Sequence, residues 1–184
     1  MQHQDFGHLD GPVVLFGGPY SNQQATEALI AAVDGRAAIC TGDIVGYCAA
    51  PNETAAQLAG EEYFCIAGNC ERQLWDGTDD CGCGFEEGSQ CDLLSKGWYP
   101  FANASISPDM RPWMAGLHPA LAFSYNGVRF HALHGGTRQN NRFIFASDRP
   151  AQEEEASTLD TDIVLAGHAG IPFISEVANK IWLN

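Results

Sequence analysis

Basic residues are scarce in this chain of 184 residues: nine Lys and Arg stand against 23 Asp and Glu, a formal charge of −14. A surface so poor in cations cannot neutralise a run of phosphates, which excludes nucleic-acid backbone binding. Long apolar runs are missing too. "PVVLFGG" and "DIVLAG" fall far short of the ~20 residues a helix needs to cross a bilayer, so no membrane span is expected. The opening "MQHQDFGHLDG" has neither a basic region nor an apolar core and does not read as a secretory signal. A cytoplasmic location is therefore expected, in which the seven cysteines read as thiols, metal ligands or core residues before disulfides. No internal repeat and no linker interrupts the chain, so residues 1–184 are read as one domain.

What is present is an ordinary globular composition, 45% hydrophobic and 17% charged, which excludes a disordered chain. The acidic excess suits a protein that holds a cation, since a metal relieves carboxylate repulsion locally. "GPVVLF" (11–16) reads as a buried strand and "NQQATEALIAAVDG" (22–35) as a helix, capped at its start by Ser21 or Asn22 and ended by Gly35. "RAAICTGD", "PNETAAQLAGEE" and "YFCIAGN" continue as strand, helix and strand. The resulting β-α-β-α-β order is that of a layered α/β sheet with covering helices. Residues 75–97 read as an insertion loop rich in Cys, Gly and acid, centred on "WDGTDDCGCGFEEGSQCD". A short helix near Ser107 follows. Asn126-Gly127 then sits between two β-rich runs as a hairpin turn. "PAQEEEASTL" is an acidic surface helix, "TDIVLAGHAG" another buried strand and "FISEVANKIWLN" a closing strand pair.

Four of these strands end on a small residue beside a potential ligand: "CTGD" at Asp43, "IAGN" at Asn69, "ALHGG" at His134 and "LAGH" at His168. Strand ends of a layered α/β sheet converge on one edge, where ligands bind. An Asp, an Asn and two His arriving there make a mixed oxygen and nitrogen set. It suits one divalent transition ion such as Mn, Fe, Ni or Zn.

The order "GDIVGYCAAPNET", "GNCE", "LHGG" and "GHAGIPF" resembles the calcineurin-like metallophosphoesterases, in particular the small bacterial phosphodiesterase and phosphatase group. The likeness runs over nearly the whole chain. It implies a four-layer αββα sandwich, here C-terminally short, with a two-metal centre at the strand ends and hydrolysis of phosphate mono- or diesters. It also implies catalytic roles for Asp43, Asn69 and His134, with His168 as a further metal ligand.

Departures from the family pattern fall together. Gly18, Tyr20 and Gly170 stand where the resemblance places the ligands of the first ion, whereas Asp43, Asn69, His134 and His168 match those of the second. One metal position is retained and the other is left without its ligands. Activity on phosphate esters is the leading expectation; the alternative is an inactive module that binds a metal or a phosphorylated ligand. Cys70 stands at the family's general-acid position. Glu71 and Arg72 are candidates to orient a phosphate or a water, and Arg138 and Arg142 to contact phosphate. Cys70, Cys81, Cys83 and Cys91 are open to three readings: a structural zinc, a redox-labile disulfide or free thiols. The partners expected are a small phosphorylated substrate or ligand and a second copy of the chain covering an open sheet edge, as a homodimer.

Overall fold

A computed structural model describes residues 3–184 of the chain. The first expected strand is β2 (Val13–Phe16) and pairs in parallel with β3 (Ala37–Cys40), which pairs in parallel with β4 (Phe64–Cys65). Between them run α1 (Gln23–Val33) and α2 (Pro51–Ala59). The Asn22 side chain accepts from the Ala25 amide at 3.1 Å to start α1, and Asp34 ends it in the left-handed region. Pro51 opens α2, where its missing N–H costs no helical bond.

The second sheet has six strands in the order β1-β5-β6-β7-β9-β8. These are β1 (Gln4–His8), β5 (Ala120–Tyr125), β6 (Val128–Leu133), β7 (Ile163–Leu165), β8 (Ile174–Val177) and β9 (Lys180–Leu183). Asn126 and Gly127 join β5 to β6 with φ of 50° and 78°, the positive pair that a primed hairpin turn needs. β1 carries no sequence signal, being short, largely polar and interrupted by Gly7. It forms because β5 offers an edge with which to pair in parallel.

The expected loop at 75–97 is shorter than its composition indicates. Before it, α3 (Asn69–Asp76) begins directly on a candidate ligand, and after it α4 (Gln90–Ser105) takes up residues 90–97. The Ser89 hydroxyl accepts from the Asp92 amide at 3.2 Å, and Ser95, Tyr99 and Ala102 form the buried face. That cap and that face outweigh the surrounding Gly and acid. α5 (Met110–Gly116) is the short helix expected near Ser107, and α6 (Arg149–Ser157) the acidic one.

Strand alternation then assigns side chains to three cores. Ile39, Ile66, Leu121, Phe123, Ala132 and Leu165 meet between the two sheets. Cys40, Leu58, Leu74, Tyr99 and Met114 fill the layer where α2 to α5 cover the small sheet. Leu133, Ala151, Ala156, Val164 and Trp182 pack α6 against the large one. Helix, sheet, sheet and helix are thus stacked as four layers. Among the described residues no helix is long and apolar enough to cross a membrane. Leu58 is 1% exposed and remote in sequence from every candidate ligand. Leu58→Ala is expected to lower the unfolding free energy by ~2–5 kcal/mol, read as a lower denaturant midpoint, while metal binding stays unchanged.

Candidate metal centre

The C-terminal ends of β3, β4, β6 and β7 bring Asp43, Asn69, His134 and His168 together. Ligand atoms of Asp43, His134 and His168 all lie within 4.8 Å of one another and are buried. His134 Nε2 is 3.2 Å from Asp43 Oδ1, 3.1 Å from Asn69 Oδ1 and 3.2 Å from His168 Nδ1. Each approach needs a sharp turn after a strand. Asp43 and His168 have φ of 53° and 58°, a left-handed backbone that costs non-glycine residues ~1–3 kcal/mol and gathers at functional sites. Gly42 lets the chains cross: a Cβ there would lie 2.6 Å from the Gly68 amide nitrogen and 2.9 Å from His134 Nδ1.

The protons decide what this cluster can hold. His134 Nδ1 is 2.7 Å from the Thr41 carbonyl oxygen, which can only accept, so Nδ1 carries the hydrogen. In the neutral ring Nε2 then presents a lone pair. The Asn69 amide is oriented as well, because its Nδ2 donates to the Cys81 carbonyl at 2.9 Å and leaves Oδ1 facing His134. Lone pairs from Asp43, Asn69 and His134 therefore converge with the Nδ1 edge of His168, and Asp43 Oδ1 is buried without a hydrogen bond. A divalent cation satisfies such a donor set, and the carbonyl behind His134 is the outer-shell partner that metal-bound histidines use.

Burial opposes ionisation of Asp43, but His134 beside it outweighs burial and lowers its carboxyl below the usual range. For His134, too, burial disfavours charge, and Asp43 overcomes it to raise the imidazole. The site thus draws positive charge. His168 is pushed down to about 4, first by burial and then by His134, so it stays neutral and able to coordinate. The Phe143 ring, 4.3 Å away between centroids, backs its imidazole.

Glu71, expected to orient a phosphate or a water, is instead turned onto the backbone. It is fully buried, and its carboxylate accepts the amides of Asp43 at 3.0 Å, Val45 at 2.9 Å and Gly68 at 2.8 Å. It ties the loop of one ligand to the helix start that carries another. Burial and then Asp43 push its carboxyl up to about 7. The readable signal was the Gly68-x-x-Glu71 spacing of a capping box.

Several sequence expectations are corrected. Arg142 pairs with Glu154 at 2.8 Å and Glu155 at 2.7 Å, so its guanidinium is held by α6 and not by the cleft. Arg138 lines a separate cleft with His3, Asp5 and His131, and Arg72 is exposed on α3. Neither lines the cleft of about 400 Å³ that contains Asp43, His134 and His168. Cys70, Cys81, Cys83 and Cys91 do not assemble as a zinc site. Cys81 and Cys83 are disulfide-bonded, Cys70 is buried and free, and Cys91 is exposed and free. Gly18, Tyr20 and Gly170 do line the same cleft as the ligand cluster. Glu71→Gln would put an amide NH₂ against backbone donors and remove one acceptor. It is expected to weaken Mn²⁺ binding by ~10–100-fold, measured by titration calorimetry.

The model of the calcineurin-like phosphoesterase family matches residues 8–183. Similar solved structures include a metallophosphoesterase from Sphaerobacter thermophilus, at 16% identity and a TM-score of 0.66, covering 94% of this chain and 74% of that one. Hypothetical protein PH1004 from Pyrococcus horikoshii OT3 has 16% identity and a TM-score of 0.65, with 93% and 74% covered. At that identity the structures establish the fold alone. Comparison with curated proteins gave no match. With the match spanning all but the ends of the sequence, the chain belongs to the calcineurin-like phosphoesterase family, enzymes that act on phosphate esters.

Proposed function

We propose that this chain is a metal-dependent phosphoesterase with a single-cation centre held by Asp43, Asn69, His134 and His168. The observation that supports it most is the set of donors converging around His134 Nε2, with Asp43 Oδ1 buried and unpartnered. Mn, Fe, Ni and Zn all accept two imidazoles, a carboxylate and an amide oxygen. Such an ion supplies Lewis acidity toward a phosphoryl oxygen and makes water a better nucleophile. The chain's part is to hold the donors. Thr41 fixes the His134 tautomer, Cys81 fixes the Asn69 amide, and Glu71 locks the loops that carry Asp43 and Asn69. Cys70 is buried, lies outside the cleft lining, and has a thiol kept protonated by burial and then by Asp43. Its burial outside the cleft lining argues against a role in protonating a leaving group.

The rest of the cleft indicates the substrate. Leu15, Ile171, Pro172 and Leu183 form an apolar wall, which suits a small phosphate mono- or diester whose ester group is itself apolar. One observation favours a second reading, a metal- or phospho-ligand-binding module without turnover: no Lys or Arg is among the described residues that line the cleft. Mn²⁺-loaded protein and a nitrophenyl phosphodiester separate the two. The enzyme reading expects metal-stimulated hydrolysis that falls ~100-fold or more in His134→Ala. Stoichiometric metal binding with no turnover on mono- or diesters supports the module instead. A purified protein that takes up no divalent ion overturns the enzyme reading and the metal-binding form of the module alike.

A further inference from the structure

Tyr20 occupies the space that two glycines leave open. A Cβ on Gly18 would overlap the Tyr20 ring and lie 2.7 Å from its hydroxyl oxygen, and a Cβ on Gly170 would lie 3.7 Å from that oxygen. Gly46 leaves room on the other side, where a Cβ would meet Tyr20 Cδ1 at 2.9 Å. The phenol is thus threaded between three residues that have no side chain.

The backbone fixes this placement. Tyr20 has φ of 50°, and its amide donates to the Asp43 carbonyl at 3.1 Å, while the Cys48 amide donates to the Tyr20 carbonyl at 3.0 Å. The Tyr47 ring packs against it at 5.0 Å between centroids. The hydroxyl makes no hydrogen bond to any described residue, although it shares the cleft with Asp43, His134 and His168. An unpartnered donor shares a cleft with the ligand cluster, and no Lys or Arg is among the described residues that line it.

We propose that the Tyr20 phenol stands in the place of a second cation, filling the position between Gly18 and Gly170 and donating its hydroxyl hydrogen to a phosphoryl oxygen bound at the neighbouring cation. This rests on the single-cation reading above and deepens it. Gly18, Tyr20 and Gly170 then form one device. The glycines withdraw the side chains that would ligate an ion there, and the ring takes the vacated volume. A neutral O–H replaces a dication as the electrophile on that side of the phosphate, giving a weaker but still directed contact.

Elemental analysis and inorganic phosphate binding test the two halves separately. Wild-type protein is expected to hold one divalent ion per chain. Mn²⁺-loaded Tyr20→Phe, which keeps the ring and its packing, is expected to hold the same single ion and to bind inorganic phosphate about tenfold more weakly, the size of one hydrogen bond to a charged group. An unchanged thermal midpoint shows that the ring still fills its place. Phosphate affinity equal to wild type, or no phosphate binding by wild type at all, overturns the donor role. The combined variant Gly18→Asp, Tyr20→His, Gly170→His is expected to take up a second ion. A folded triple variant that remains at one ion, or a wild-type chain that holds two, overturns the replacement. A wild-type chain that holds none sinks the metal reading itself, a result distinct from all the others.

Discussion

One hydrogen bond sets the chemistry of this molecule: His134 Nδ1–H to the Thr41 carbonyl, at 2.7 Å inside the protein. Because a carbonyl cannot donate, the bond fixes which ring nitrogen keeps its proton. It therefore turns the Nε2 lone pair toward two oxygens and a second imidazole that are equally rich in electrons. In a buried site such a grouping is repulsive unless positive charge enters it. The shift of His134 toward its charged form under the pull of Asp43 expresses the same demand. A proton meets it partly, and a divalent ion meets it with directed bonds to all the donors.

That arrangement depends on the layered fold, since the ligands come from separate strands. Asp43 and Asn69 follow the parallel strands β3 and β4 of the small sheet, and His134 and His168 follow β6 and β7 of the large one. The apolar layer between the sheets holds the two pairs face to face. Glu71 then acts as the local fastener. By accepting amides from residues 43, 45 and 68, it sets the distance between the Asp43 turn and the first turn of α3. Desolvating a carboxylate is costly, and three backbone donors offset much of that cost.

The clustering of Asp43, Asn69, His134 and His168 was legible in the sequence because strand-end words such as "TGD" and "AGH" record a backbone requirement, a small residue before a tight turn. The hairpin at Asn126-Gly127 and the closing pair β8–β9 were legible for the same reason, through turn chemistry. What escaped was decided by tertiary contact. β1 is polar and exists by pairing with β5. α4 lies in a stretch whose start is rich in Gly and acid, but is rescued by its Ser89 cap and buried face. Arg142 could not be told from a phosphate ligand until α6 placed Glu154 and Glu155 beside it. Glu71 read as a residue to orient a phosphate or a water, because the Val45 and Asp43 amides that claim it lie 26 and 28 residues away in the chain.

Charge balance gives a reason why a one-ion centre would be self-consistent here. Of the described side chains that line the cleft, Asp43 is the only carboxylate. Glu71, behind it, is pushed toward its neutral form by burial and by Asp43. On the single-cation reading, one divalent ion with one carboxylate leaves about one net positive charge, enough to attract a phosphate ester without a lysine or arginine nearby. Adding a second ion without a second carboxylate would place two dications against one anion in a desolvated pocket. Coulomb repulsion would expel one of them. On the same reading, a glycine at position 18 and a neutral phenol from position 20 both limit the cation charge that this cleft can hold.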